Sequence, residues 1–158
     1  MATLLVNIAQ MKISSGADIF NATGLGSCMG VVLYDPIKKV GGMIHVLLPC
    51  ADEGANTNQP MNPTKFADPG IKHLYDAVIK AGANPANLYA KMAGGASMLS
   101  FNSRVGERNA EYSEKMLNKL KVKLLAKDIG GNSGRTVTFD VQTGVMTVST
   151  LAKGKYTL

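Results

Sequence analysis

Cys28 and His45 are the residues whose types and spacing point most directly to chemistry. Cys28 closes the glycine-flanked run Thr23-Gly24-Leu25-Gly26-Ser27-Cys28, and His45 follows after a turn signal, Asp35-Pro36, roughly midway between them. A thiol becomes a nucleophile when a base within hydrogen-bond reach takes its proton, and imidazole is a common base for that step. Glycines before the thiol let backbone approach a substrate closely and turn amide N–H groups toward a developing oxyanion. The chemistry this implies is acyl transfer. Cys28 attacks an amide or ester carbonyl, His45 protonates the leaving group, and water activated by His45 hydrolyses the thioester, with no metal or organic cofactor required. A third polar group should hold the imidazole in the right tautomer, and Thr23 is the nearest candidate in sequence.

These side chains meet only if the flanking segments pair. Met29 to Tyr34 and Lys39 to Leu48 are short, apolar or β-branched, and bounded by Gly and Pro, so both read as strands. With Asp35 to Lys38 as a four-residue type I loop, Tyr34 faces Lys39 and Cys28 falls opposite His45, with Cβ atoms about 5 Å apart. One extra residue would turn the two side chains to opposite faces. Buried free thiols and hydrogen-bonded strand histidines are common structural residues, and it is the expected apposition that favours catalysis here. Cys50, after Pro49, has no histidine in register and reads as a spare thiol. His73 falls on the solvated side of a helix.

The remaining elements follow from periodicity and punctuation. Thr3 to Ile8 reads as a strand, followed by a loop through Ser14-Ser15-Gly16. Residues 51 to 63 are rich in Asn, Pro, Gly and Asp and read as a long loop suited to a wall or lid. A helix is expected after Asp68-Pro69, with Ile71, Leu74, Tyr75, Val78 and Ile79 on one face and Gly82 ending it. Leu88 to Ala93 reads as a buried strand, and Gly94-Gly95-Ala96-Ser97 as a turn. A second amphipathic helix is expected from about Asn109 to Lys121, with Tyr112, Met116, Leu117 and Leu120 inward. Val122 to Ala126 reads as a strand. Thr136 to Val141 and Val145 to Leu151 form a closing hairpin around Gln142-Thr143-Gly144. This order implies an α+β fold, a mostly antiparallel sheet, whole or divided into two, packed with two main helices.

A chain of 158 residues suits one domain, residues 1 to 158, with a proper core. Its composition, 46% hydrophobic and 18% charged, excludes extensive disorder. Two cysteines do not make a disulfide framework, and there is neither a signal-like N-terminus nor a membrane-length apolar run, so the expected location is the cytoplasm, without membrane insertion. Seventeen basic against eleven acidic residues leave +6. The lysines are scattered and no aromatics alternate with them, which favours a solvated basic surface over a nucleic-acid site. Gly24-Leu25-Gly26 lacks the third glycine and the following helix of a dinucleotide fingerprint, and the Gly94 and Gly130 pairs lack the ending of a phosphate loop. Two histidines and two cysteines without paired spacing make no zinc site.

Several blocks in order, Gly24-Leu25-Gly26-Ser27-Cys28, Asp35-Pro36, Gly41 to Pro49, Ala93 to Met98, Gly106-Glu107-Arg108-Asn109 and Gly130 to Arg135, resemble the CheD family of chemoreceptor glutamine deamidases across almost the whole chain. The resemblance implies conversion of glutamine side chains to glutamate on the helical cytoplasmic part of methyl-accepting chemotaxis receptors. It implies a layered α/β sandwich of the cysteine-hydrolase type, like that of deamidating bacterial toxins. It also implies CheC, a phosphatase of the chemotaxis response regulator, as a partner, and with it an alternative role as a regulatory adaptor. The family's catalytic Cys and His carry over onto Cys28 and His45. The family threonine lies six residues before the cysteine, where this chain has Ala22. Either the loop shifts by one residue and Thr23 serves, or another group orients His45.

Overall fold

A computed structural model of the protein describes residues 2–50, 62–97 and 104–158. Two five-stranded sheets form two of its layers, and two helices form the third. The first sheet takes Thr3–Leu5 (β1), Ile19–Leu25 (β3), Arg135–Asp140 (β9), Met146–Thr150 (β10) and Gly154–Thr157 (β11), in the spatial order β1-β3-β9-β10-β11. The second takes Met11–Ser14 (β2), Met29–Asp35 (β4), Val40–Val46 (β5), Tyr89–Gly94 (β7) and Lys123–Ile129 (β8), in the order β2-β5-β4-β7-β8. Leu48–Cys50 is a short strand, β6, beyond β5. Pairing is antiparallel except for β1 with β3 and β7 with β8. The architecture is thus α+β, with two main helices and mostly antiparallel sheets.

Strands β4 and β5 are buried along their whole length, because both of their faces are covered. Met29, Val31, Leu33, Ile44 and Val46 face the helices, whereas Val32, Tyr34 and Met43 face the first sheet, where they meet Phe20, Val137, Phe139 and Val148. Alternation at period two therefore divides one hairpin between two cores. Tyr34 also joins the sheets by a hydrogen bond, its hydroxyl donating to the Val141 carbonyl at 2.5 Å.

Helix α1 (Ala67–Lys80) buries Ile71, Leu74 and Val78 and rests Tyr75 and Ile79 against the same core, as its periodicity predicts. Each such side chain contributes about 1.5–3 kcal/mol on full burial. Asp68 keeps extended backbone angles, so regular helix begins at Pro69. Helix α2 (Val105–Lys119) starts earlier than the expected Asn109. Its first turns carry Gly106, Asn109 and Ser113 inward, which breaks the apolar stripe the sequence reading depends on. As the link between parallel β7 and β8, α2 is the crossover such a pair requires.

Strands β2, β3 and β11 were not expected. Ser14 to Gly16 does turn the chain, but Met11–Ser14 pairs with β5 before it. The expected loop over 51–63 lies outside the described residues apart from Asn62 and Pro63, which begin a turn of 3₁₀ helix before α1. Among the described residues, no helix is long and apolar enough to cross a membrane.

Candidate active site

Cys28 sits where the chain crosses from one sheet to the other. Strand β3 pairs with β9 through Ala22 and Val137, and the register then shifts before Leu25 meets Arg135. Gly24 adopts φ +66 at this bulge, a conformation glycine takes without strain. The chain then turns, with Gly26 N–H donating to the Gly24 carbonyl at 3.0 Å, and Ser27-Cys28 leads into β4. From the other side the Gly94-Gly95 corner closes on the cysteine. Gly95 N–H donates to the Cys28 carbonyl at 2.9 Å, and Ala96 N–H to the Gly26 carbonyl at 2.9 Å. A Cβ on Gly94 would lie 2.1 Å from the Cys28 carbonyl oxygen, so only glycine fits there.

The β4–β5 register differs from expectation. Asp35 pairs with Val40 and Gly30 with His45, so the loop runs from Pro36 to Lys39 and Cys28 is not the residue opposite His45. The cause lies in Asp35, which ends the strand and closes its own loop. Its Oδ1 accepts from Ile37 N–H at 2.9 Å and Lys38 N–H at 3.0 Å, and its carbonyl accepts from Lys39 N–H at 2.9 Å, with Lys39 left-handed at φ +57. A slip of two residues preserves the face. Cys28 packs in the inter-sheet core, and His45 alternates with Met43 toward that same core, so the two side chains are diagonal neighbours across the ladder.

His45 is held by backbone rather than by a side chain. Its Nδ1 lies 3.0 Å from the Val6 carbonyl, which can only accept, so Nδ1 carries the proton and Nε2 is left with a lone pair. Among the described residues Nε2 has no hydrogen-bond partner, although the ring is only 1% exposed. Thr23 does not join the pair. It is exposed on β3, while its neighbour Ala22 is fully buried in the inter-sheet core. The role expected of a threonine hydroxyl, fixing the tautomer, is filled by the Val6 carbonyl.

Burial also shifts the protonation of both groups. Desolvation pushes the Cys28 thiol above its ordinary 9.0, against the opposing effect of the residue's own N–H. Desolvation likewise pulls the His45 imidazole below 6.5, against the bond to Val6. Both shifts favour the uncharged forms near pH 7, a neutral thiol and a neutral imidazole. That arrangement suits a general base that moves the proton as the nucleophile attacks.

In the sequence Asn109 stands out only as a helix start and within the Gly106-Glu107-Arg108-Asn109 block, with no role of its own. Fully buried on α2, its Nδ2 donates to the Ser27 carbonyl at 2.8 Å and the Leu47 carbonyl at 3.0 Å. The signal was a carboxamide one turn before Ser113 and two before Met116 on the stripe that faces inward. Cys50 is half-buried on β6, and His73 is exposed on α1. Among the described residues, no group of three His, Cys, Asp or Glu side chains could hold a metal ion. A groove of about 950 Å³ runs along α2 past Gly95, Glu107, Glu111 and Gly130, and neither Cys28 nor His45 is among its described lining residues.

Comparison with known proteins bears on this arrangement. A family model described as "CheD chemotactic sensory transduction" matches residues 47–150. A protein of Desulforamulus reducens named probable chemoreceptor glutamine deamidase CheD is 41% identical over 155 residues, covering 95% of this chain and 92% of its own. Proteins of the same name from Caldanaerobacter subterraneus subsp. tengcongensis and Lachnoclostridium phytofermentans are each 42% identical, over 96% and 94% of this chain and 94% and 93% of theirs.

Proposed function

The chain belongs to the CheD family, and from that premise we propose that it is a single-domain chemoreceptor glutamine deamidase, with Cys28 as nucleophile and His45 as general base. The observation that carries the assignment of roles is the bare, buried Nε2 of His45 on the same inter-sheet face as the Cys28 thiol. In this reading the fold is a sandwich of the cysteine-hydrolase type. The substrates are glutamine side chains on the cytoplasmic helical region of methyl-accepting chemotaxis receptors, and the protein works in the cytoplasm.

As the Cys28 sulfur attacks the glutamine Cδ, its proton passes to His45 Nε2 and the C=O bond opens to an oxyanion. Collapse of that intermediate breaks the C–N bond, and the Nε2 proton goes to the departing nitrogen, which leaves as ammonia. A thioester between Cys28 and the substrate remains. Water then gives a proton to Nε2 and its oxygen to the carbonyl carbon; the C–S bond breaks, and the sulfur recovers the proton. The balance is one glutamine and one water to one glutamate and one ammonia. Throughout, the Val6 carbonyl would hold Nδ1–H and stabilise the transient imidazolium.

A second reading rests on Ala22, which stands buried where the family resemblance calls for threonine. Without that hydroxyl, the protein would serve chiefly as an adaptor that binds and regulates the CheC phosphatase. The deciding experiment is mass spectrometry of a cognate receptor's cytoplasmic fragment after incubation with wild type, Cys28→Ala and Thr23→Ala. The deamidase reading expects the mass gain of glutamine-to-glutamate conversion with wild type and Thr23→Ala, and none with Cys28→Ala. Failure of wild type to convert any glutamine favours the adaptor.

A further inference from the structure

We infer that Asn109 is a positioning residue that fixes the separation of Cys28 and His45 by bridging the two backbone segments that carry them. This rests on the deamidase reading for what the separation is used for, and on geometry alone for the bridge.

The β4–β5 ladder ends at the pair Met29 and Val46. Beyond it each strand turns to a different neighbour: the Cys28 carbonyl accepts from Gly95, and Leu47 N–H donates to the Lys65 carbonyl at 2.9 Å. The strands therefore part just where the nucleophile enters, and ladder hydrogen bonds no longer hold them in register. Asn109 spans the gap. Its two donors reach the Ser27 carbonyl, one residue before Cys28, and the Leu47 carbonyl, two residues after His45. Since both partners can only accept, the amide nitrogen must face them, and the orientation of the carboxamide is fixed by chemistry.

The rest of the side chain argues against a merely structural role. Among the described residues the buried Oδ1 has no hydrogen-bond partner, a cost that an apolar residue would avoid. The helix that carries it is seated on the site itself, since a Cβ on Gly106 would lie 2.3 Å from the Ala96 carbonyl, next to the Gly94-Gly95 corner. A two-armed donor at this point defines how far apart Ser27 and Leu47 stand, and with them the diagonal between sulfur and Nε2.

The test compares wild type with Asn109→Ala, Asn109→Ser and Met116→Ala by steady-state deamidation of a receptor fragment and by NMR titration of the His45 imidazole, with His73→Ala assigning the signal. Met116, buried on the same helix, controls for lost packing. The expected result is a fall in kcat of about 100-fold in Asn109→Ala with KM little changed, because misplacing reacting groups by about an ångström costs that much. Asn109→Ser, which keeps one donor, should fall between. The His45 titration should move up toward 6.5 in both Asn109 variants, as water enters the loosened gap, and stay in place in Met116→Ala. A kcat within threefold of wild type and an unmoved titration, in Asn109→Ala or in Asn109→Ser should the alanine variant not fold, would overturn the inference. If wild type deamidates nothing, the functional reading falls while the titration still decides whether Asn109 sets the pair.

Discussion

Gly30, not Cys28, stands directly across the β4–β5 ladder from His45, so the imidazole faces a residue with no side chain and the cysteine lies on the diagonal. A side chain at position 30 would point to the inter-sheet face that Cys28 and His45 share. Its Cβ alone would come within 3.3 Å of Leu25 Cδ1. Gly30→Val is therefore expected to cost about 1–3 kcal/mol of stability through overpacking, and to lower deamidation more than the stability loss explains. Urea unfolding and receptor-fragment turnover on the same preparation check this; full activity in a folded Gly30→Val would show that the diagonal needs no clearance.

The protonation of the pair sets an acid-side and an alkaline-side limit on stability. His45 has its pKa lowered on folding, so below pH 6.5 the unfolded chain binds the proton more readily, and stability falls as pH falls through the folded value. Cys28 has its pKa raised, so above pH 9.0 the unfolded chain releases its proton first, and stability falls as pH rises. Unfolding midpoints measured from pH 4 to 10 should show both losses. The acid loss should shrink in His45→Gln and the alkaline loss in Cys28→Ala; an unchanged acid limb in His45→Gln would mean that His45 is not the group responsible.

The same neutral pair makes a kinetic statement about the resting thiol. Iodoacetamide reacts with thiolate, so labelling of Cys28 in the free protein is expected to be slow at pH 7 and to keep rising with pH beyond 9, where an ordinary thiol levels off. Peptide mapping separates it from half-buried Cys50. Fast Cys28 labelling at pH 7, lost in His45→Ala, would instead reveal a preformed ion pair and overturn the neutral resting state.

How much of this was legible in the sequence depends on what each residue announces locally. The α1 stripe, the closing hairpin around Gly144, and the face shared by Cys28 and His45 were legible, because side-chain periodicity survives any even slip of register. The register itself was not. It turns on Asp35 capping its own loop and on Lys39 adopting a left-handed conformation, and lysine gives no sign of that in advance. Strand β3 was hidden because its bulge interrupts the alternation after Ala22, and the glycines there read as loop. The tautomer of His45 was beyond reach for a different reason. Its partner is a main-chain carbonyl thirty-nine residues away, and a carbonyl has no residue type.

Arg135 offers the most distant control over the site. Nearly buried on β9, its Nε bonds Asp128 Oδ2 at 3.2 Å, Nη1 the Gly94 carbonyl at 3.3 Å and Nη2 the Gly130 carbonyl at 2.8 Å, while the Tyr156 hydroxyl donates to the same Asp128 oxygen. One guanidinium thus ties β8 and β9 to the corner whose Gly95 N–H holds the Cys28 carbonyl. Lysine has the charge but not the fork, and a point charge cannot serve three acceptors set at these angles. Arg135→Met should cost about 3–5 kcal/mol, much of it from leaving Asp128 without its cation. Arg135→Met combined with Asp128→Asn should recover part of that stability, because the stranded carboxylate is gone, yet not the turnover, because the Gly94 carbonyl remains unheld. Denaturant unfolding and receptor deamidation of both variants separate the two effects. Recovery of turnover together with stability in the double variant would show that Arg135 acts through Asp128 alone and not through the corner beside Cys28.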